Sequence, residues 1–149
     1  MKRFELRRDL PEVLETGIVF VFVGKNVAVI RDAEVYRPTV VSTVNEEDWT
    51  TTVQRDVFGT TGILVRSVRV MGVIKSDSKN IPVFVALAYE TDRAKAGCSI
   101  VTLNEAGKRL AMDGVEQQLL HVLLYYAFKT FTEMDKEKNR KLVMRTVAL

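Results

Sequence analysis

The order of patterns along the 149 residues predicts an α+β fold, a mixed β-sheet with helices packed on it. Three observations carry that reading. Two β-branched and aromatic runs, "GIVFVFV" (17–23) and "VAVIRD" (27–32), flank the turn "GKN" as the arms of a hairpin do. A stretch of helical period follows at 46–60. Three further apolar runs then precede two helical segments, so the order is β-β-loop-α-β-β-β-α-α rather than a regular βαβ repeat.

Each element has its own reason. "AEVYRPTVVSTVN" (33–45) contains a proline and no clear period, and reads as loop with some extended chain. In the first helix Asn45 is a candidate N-cap. Glu46, Glu47 and Asp48 place negative charge on the first turn, where the helix dipole favours it. Trp49, Val53 and Val57 recur at i, i+4 and i+8 and give one buried stripe. Three consecutive threonines weaken the intrinsic helix preference, so packing must support this helix. Gly62 suits a left-handed exit.

"ILVRSVRVMGVIK" (63–75) alternates in part, as one or two strands with a bend. "IPVFVALAYET" (81–91) is an apolar strand with Pro82 near its start, where proline is tolerated. "CSIVTL" (98–103) is a short strand, and Thr102 or Asn104 opens a short helix over "EAGKRLAM". A longer helix over roughly 114–134 carries a wide apolar face, and "KLVMRTVAL" is apolar enough to pack. The expected organisation is one domain over 1–149, with a core at about 15–133, an N-terminal extension (1–14) and a C-terminal tail (134–149).

Composition bounds the function classes. With 47% hydrophobic and 28% charged residues, the chain is globular rather than disordered in type. A net charge of +3 spread among acids permits a phosphate-bearing partner, and no basic run calls for nucleic acid. The single cysteine, Cys98, excludes an internal disulfide and any multi-cysteine zinc cluster, and reads as a small buried residue. No apolar run reaches the roughly 18 residues of a membrane span, and "MKRFELRRDLPEV" lacks the apolar centre of a signal peptide. The expected compartment is the cytoplasm, with no membrane partner.

"RDVFGTTGILV" (55–65) resembles the end of the Nudix box, whose family pattern is Gly-x5-Glu-x7-Arg-Glu-apolar-x-Glu-Glu-x-Gly-apolar. In that register Glu47 takes the first glutamate, Arg55 the arginine, Val57 an apolar position, and Gly62 and Ile63 the closing pair. The flanking strands and the helix after "VTLNEAGKRL" agree, so the resemblance spans roughly residues 15–133. It implies a Nudix-like α/β/α sandwich.

The departures concern chemistry. Val41 replaces the opening glycine, Asp56 stands on the first metal-binding glutamate, and Gly59 and Thr60 stand on the adjacent pair. Positions 56, 59 and 60 share a helix face, where the family's three carboxylates hold magnesium ions that polarise a diphosphate and activate water. One short carboxylate remains.

The resemblance therefore implies a Nudix-fold protein with a degraded motif, binding a nucleotide-like or diphosphate-containing ligand or a protein partner without efficient hydrolysis. The alternative is an active pyrophosphohydrolase of nucleoside diphosphate derivatives, with Mg2+ or Mn2+ held by Asp56 together with Glu47, Glu90 or Asp92. Asp56, Glu47 and Arg55 are then the catalytic candidates, although a solvated charge for Asp56 and an ion pair between Glu47 and Arg55 are the plainer readings. Tyr36, Arg37, Arg66 and Glu90 are the ligand-binding candidates, with Arg69 as a further phosphate contact. His121, the sole histidine, lies among "LLHVLLYY" as a packing residue. Ser42 and Thr43 form no nucleophile signature. A third expectation is an interaction module, with the last helix and "KLVMRTVAL" as a homodimer seam.

Overall fold

A computed structural model describes residues 2–9, 16–42, 49–77, 79–89 and 94–148. The described elements are β1 (Arg3–Leu6), β2 (Gly17–Val23), β3 (Asn26–Asp32), β4 (Val35–Arg37), β5 (Thr39–Val41), α1 (Trp49–Thr61), β6 (Val65–Lys75), β7 (Asn80–Ala88), β8 (Cys98–Val101), α2 (Leu103–Arg109) and α3 (Gln117–Ala148). The strands form one mixed sheet in the order β1-β6-β7-β2-β3-β4, with β5 also on β2 and β8 also on β3. Only β2 and β7 run parallel, pairing Ile18 with Val83 through Phe22 with Leu87. Pro82 lies just before that ladder, so its missing N–H weakens no β2 pairing.

The pleat divides the core into two layers. Ile18, Phe20 and Phe22 of β2 face one side, where they meet Leu120, Leu123, Ala127 and Phe131 of α3. Val19 and Val21 face the other, against Val53 and Val57 of α1 and Ile63 behind it. Helices on both faces of a mixed sheet make an α/β/α sandwich, as expected. The continuous apolar character of β2 follows, since it is covered on both sides.

The expected stripe on α1 is present. Val53 and Val57 are fully buried, Thr61 extends the row by one turn, and Trp49 stacks on Phe84 with ring centroids 5.5 Å apart. Thr102 caps α2, accepting from the Glu105 N–H at 3.2 Å.

One expectation sharpens and two change. The segment at 33–45, read as loop with some extended chain, holds that extended chain as β4 and β5, parted by Pro38. Residues 3–6 of the expected N-terminal extension form an edge strand that pairs antiparallel with β6. Gly72 admits it, because a Cβ there would collide with the Glu5 carbonyl oxygen. Finally, α3 begins at Gln117 and continues to Ala148, so the expected tail is helical through Ala148. Its later turns are highly charged and mostly exposed at 135–140, so they lack the apolar stripe that marks a packed helix. No helix among the described residues is long and apolar enough to cross a membrane.

Candidate functional site on the first helix

The helix-face positions 56, 59 and 60 lie on α1, which β5 and β6 hold against the sheet. Asp56 is drawn toward β5. Its Oδ2 accepts from the Ser42 amide at 2.8 Å and the Ser42 hydroxyl at 2.6 Å. Arg55 Nε reaches its Oδ1 at 3.5 Å, a weak contact because neighbouring helical side chains diverge. Burial pushes the Asp56 carboxyl pKa upward. The Ser42 hydrogen bonds and the Arg55 charge oppose this, and the net result lies below the ordinary carboxylate value. The side chain is 17% exposed, so the carboxylate is a charged tie between helix and strand.

At the end of α1 the last i→i−4 bond goes to Phe58, and the three carbonyls after it, which lack helical partners, each find another. Phe58 O accepts from Gly62 N at 2.9 Å, and Thr61 O from Lys95 N at 2.7 Å. Gly59 O accepts from the Lys95 ammonium at 3.0 Å, and Thr60 O from the Cys98 thiol at 3.5 Å. Gly62 turns the chain with φ of 76°, in the left-handed region. Thr61 is wholly buried, donating to Val57 O at 2.7 Å and accepting from Ile63 N at 3.1 Å. The ammonium of Lys95 also complements the negative end of the helix dipole.

This donor set does not fit the family's magnesium ions. Magnesium favours hard anionic oxygens in octahedral array. Here the described face offers one carboxylate already bonded to Ser42, and an ammonium lies against Gly59. Among the described residues no group of three or more His, Cys, Asp or Glu could hold a metal ion. Glu46, Glu47 and Asp48, with Thr43 and Asn45, lie outside the described residues, as do Glu90 and Asp92. The expected Glu47–Arg55 pair is therefore outside them too; Arg55 itself is 68% exposed.

The candidate ligand residues are not brought together. Tyr36 and Arg37 lie on β4, whereas Arg66 lies on β6. Three strands separate them, roughly 19 Å at a strand spacing of about 4.8 Å. The Arg109 guanidinium covers Tyr36, 5.6 Å from the ring centroid. Arg37 pairs with Asp32 and, at 3.4 Å, with Asp113; the Asp32 hydrogen bond leads in raising its pKa. Arg66 donates to Ala88 O at 3.3 Å, and Arg69 pairs with Glu137 at 2.7 Å.

His121 is exposed, a correction to its reading as a packing residue, but it is not idle: its Nε2 lies 2.9 Å from Gly107 O and joins α3 to α2. Cys98 is half-buried rather than fully buried, with burial raising its thiol pKa against the lowering charges of Arg31 and Lys95. Nothing in the sequence singles out Lys95, which lies in a stretch that reads only as loop. Ser42, which forms no nucleophile signature in the sequence, serves in the fold as a tie to Asp56.

No family model matches the chain, and no curated protein matches it. Solved structures do. A Sinorhizobium meliloti protein described as an oxidoreductase superposes at a TM-score of 0.59 and 15% identity over 78% of this chain, which spans 39% of that protein's length. A Listeria monocytogenes protein described as a Nudix hydrolase gives 0.53 at 15% identity, covering 81% of this chain and 96% of its own. A UDP-X diphosphatase gives 0.52 at 11% identity, covering 82% of this chain and 66% of its own. With a helix on each face of the mixed sheet and these structural likenesses, the chain has the fold of the Nudix hydrolases.

Proposed function

We propose that this chain is a Nudix-fold binding protein that has lost efficient hydrolysis of diphosphate bonds and retains a nucleotide-like or diphosphate-containing ligand, or a protein partner. The observation that carries the reading is the state of α1. Asp56 is bonded to Ser42, and positions 59 and 60 present backbone carbonyls to Lys95 and Cys98. Removing one preorganised charge-stabilising group from an active site costs roughly 10²–10³ in kcat. Two vacated ligand positions cost more, and nothing among the described residues replaces them.

The hydrolytic alternative draws on Glu47, Glu90 and Asp92, carboxylates outside the described residues. A hydrolysis screen separates the two. Nucleoside triphosphates, ADP-ribose, dinucleoside polyphosphates and sugar nucleotides are incubated with the protein and either magnesium or manganese, with Asp56→Ala as control. The binding reading predicts turnover indistinguishable from the control for every compound. Metal-dependent turnover that Asp56→Ala abolishes would establish the hydrolase instead.

A further inference from the structure

We propose that the face of the sheet opposite α1 carries a site for a compact phosphorylated molecule, in a cavity of about 300 Å³ where the end of β1, the middle of β6 and α3 meet. The volume lies at the lower end of the ~300–1,000 Å³ range of small-molecule sites, so the ligand is small. The inference deepens the binding reading by naming a place and a ligand class, and it stands on different residues.

Charge decides the class. Among the described residues Arg7, Arg8, Arg69 and Lys129 line the cavity, against one lining carboxylate, Glu133. Two of the arginines are fixed. Arg7 pairs with Asp9 at 3.0 Å, and Arg69 is held from α3 by Glu137 at 2.7 Å and Glu133 at 3.8 Å. Arg8 and Lys129 have no ion pair among the described residues. The described surroundings stay positive even when Asp9 and Glu137, outside the lining, are counted. Guanidinium forks match phosphate oxygens, and an ammonium adds a mobile point charge.

The walls are firm enough to present those charges. Arg7 N donates to Met71 O at 3.1 Å, continuing the β1–β6 pairing to the cavity rim. Tyr126 closes one side, held by Phe4 at 5.9 Å and Tyr125 at 5.3 Å between ring centroids, and offers an apolar surface beside the cations. Thr130 of α3 also lines the cavity.

Calorimetric titration of the full chain tests this, with inorganic pyrophosphate and with ADP as probes, at low salt and with EDTA to exclude turnover. The proposal predicts one site for at least one probe, weakened by added salt. The double variant Arg8→Ala, Lys129→Ala weakens it at least tenfold, while Lys25→Ala in the β2–β3 turn leaves it unchanged. Saturation by pyrophosphate alone identifies a bare phosphate site; tighter ADP binding assigns the base to the Tyr126 side. Circular dichroism of the double variant, which loses only exposed side chains, checks that it is folded. Binding of neither probe overturns the proposal, as does a loss shared with Lys25→Ala or undiminished affinity in the folded double variant. Such a failure leaves the reading of α1 standing, because that rests on the turnover screen.

Discussion

The two faces of the sheet are built alike in the core and differently at their polar ends. Phe84 on the α1 side and Phe22 on the α3 side are both buried to within 1%, and both stack on a ring from the facing helix, Trp49 and Phe131. On the α1 face the helix's polar groups are satisfied from within the chain: Ser42 holds Asp56, and Lys95 and Cys98 cover the last turn. On the α3 face Arg8 and Lys129 line a cavity without a partnering acid of their own among the described residues. On the proposed reading, retention of a fold and retention of its chemistry are separable. Apolar packing preserves the first, while the second depends on a few side chains.

The largest effects should be equal on the two faces. Phe84→Ala and Phe22→Ala each remove a buried ring, and each is expected to cost about 3–5 kcal/mol by urea denaturation. A loss under about 1 kcal/mol on either side would mean that its helix does not press on the sheet as described.

Next come two glycines on α1 and just beyond it, with opposite signs. Gly62→Ala forces a side chain into φ of 76° and a Cβ within 2.8 Å of Lys95 Cγ. It should destabilise by about 1–2 kcal/mol. A Cβ added at Gly59 would meet nothing within 4 Å. Gly59→Ala should therefore stabilise by about 0.5–1 kcal/mol. Equal signs in thermal unfolding would contradict the placement of the helix end.

An effect of similarly small size concerns the Asp56 tie. Ser42→Ala should cost about 1 kcal/mol at neutral pH. The folded-state pKa of Asp56 is lowered, so its contribution is present above the ordinary carboxylate pKa and is lost as pH falls through the folded value. The gap between wild type and Ser42→Ala in urea midpoint should accordingly narrow in acid. A gap that widened there would show that Asp56 is not held as its charged form.

The sandwich is legible in the sequence because period and burial agree in its long elements. The β2–β3 hairpin, the Trp49, Val53 and Val57 stripe and the turn at Gly62 all follow from local patterns. β1 is hidden because "RFEL" alternates polar and apolar over only four residues, too short a run to read. β4 and β5 are masked by Pro38 between them. At the candidate site, the resemblance to the Nudix box sets Gly59 and Thr60 on positions that the family fills with acids. The partners in the fold are not legible. Ser42, 14 residues before Asp56, and Lys95, 36 residues after Gly59, meet α1 through tertiary folding, and no local motif announces such contacts.

The most direct test of the central claim, that α1 keeps the Nudix position without its metal chemistry, is Mn2+ binding followed by electron paramagnetic resonance. Wild type is compared with Asp56→Ala and with the double variant Gly59→Glu, Thr60→Glu. The open space at Gly59 and the exposure of Thr60 admit the new carboxylates. Wild type and Asp56→Ala should leave the free Mn2+ signal equally unchanged, while the double variant depletes it. Depletion by wild type that Asp56→Ala abolishes would contradict the claim and mark α1 as a working metal helix.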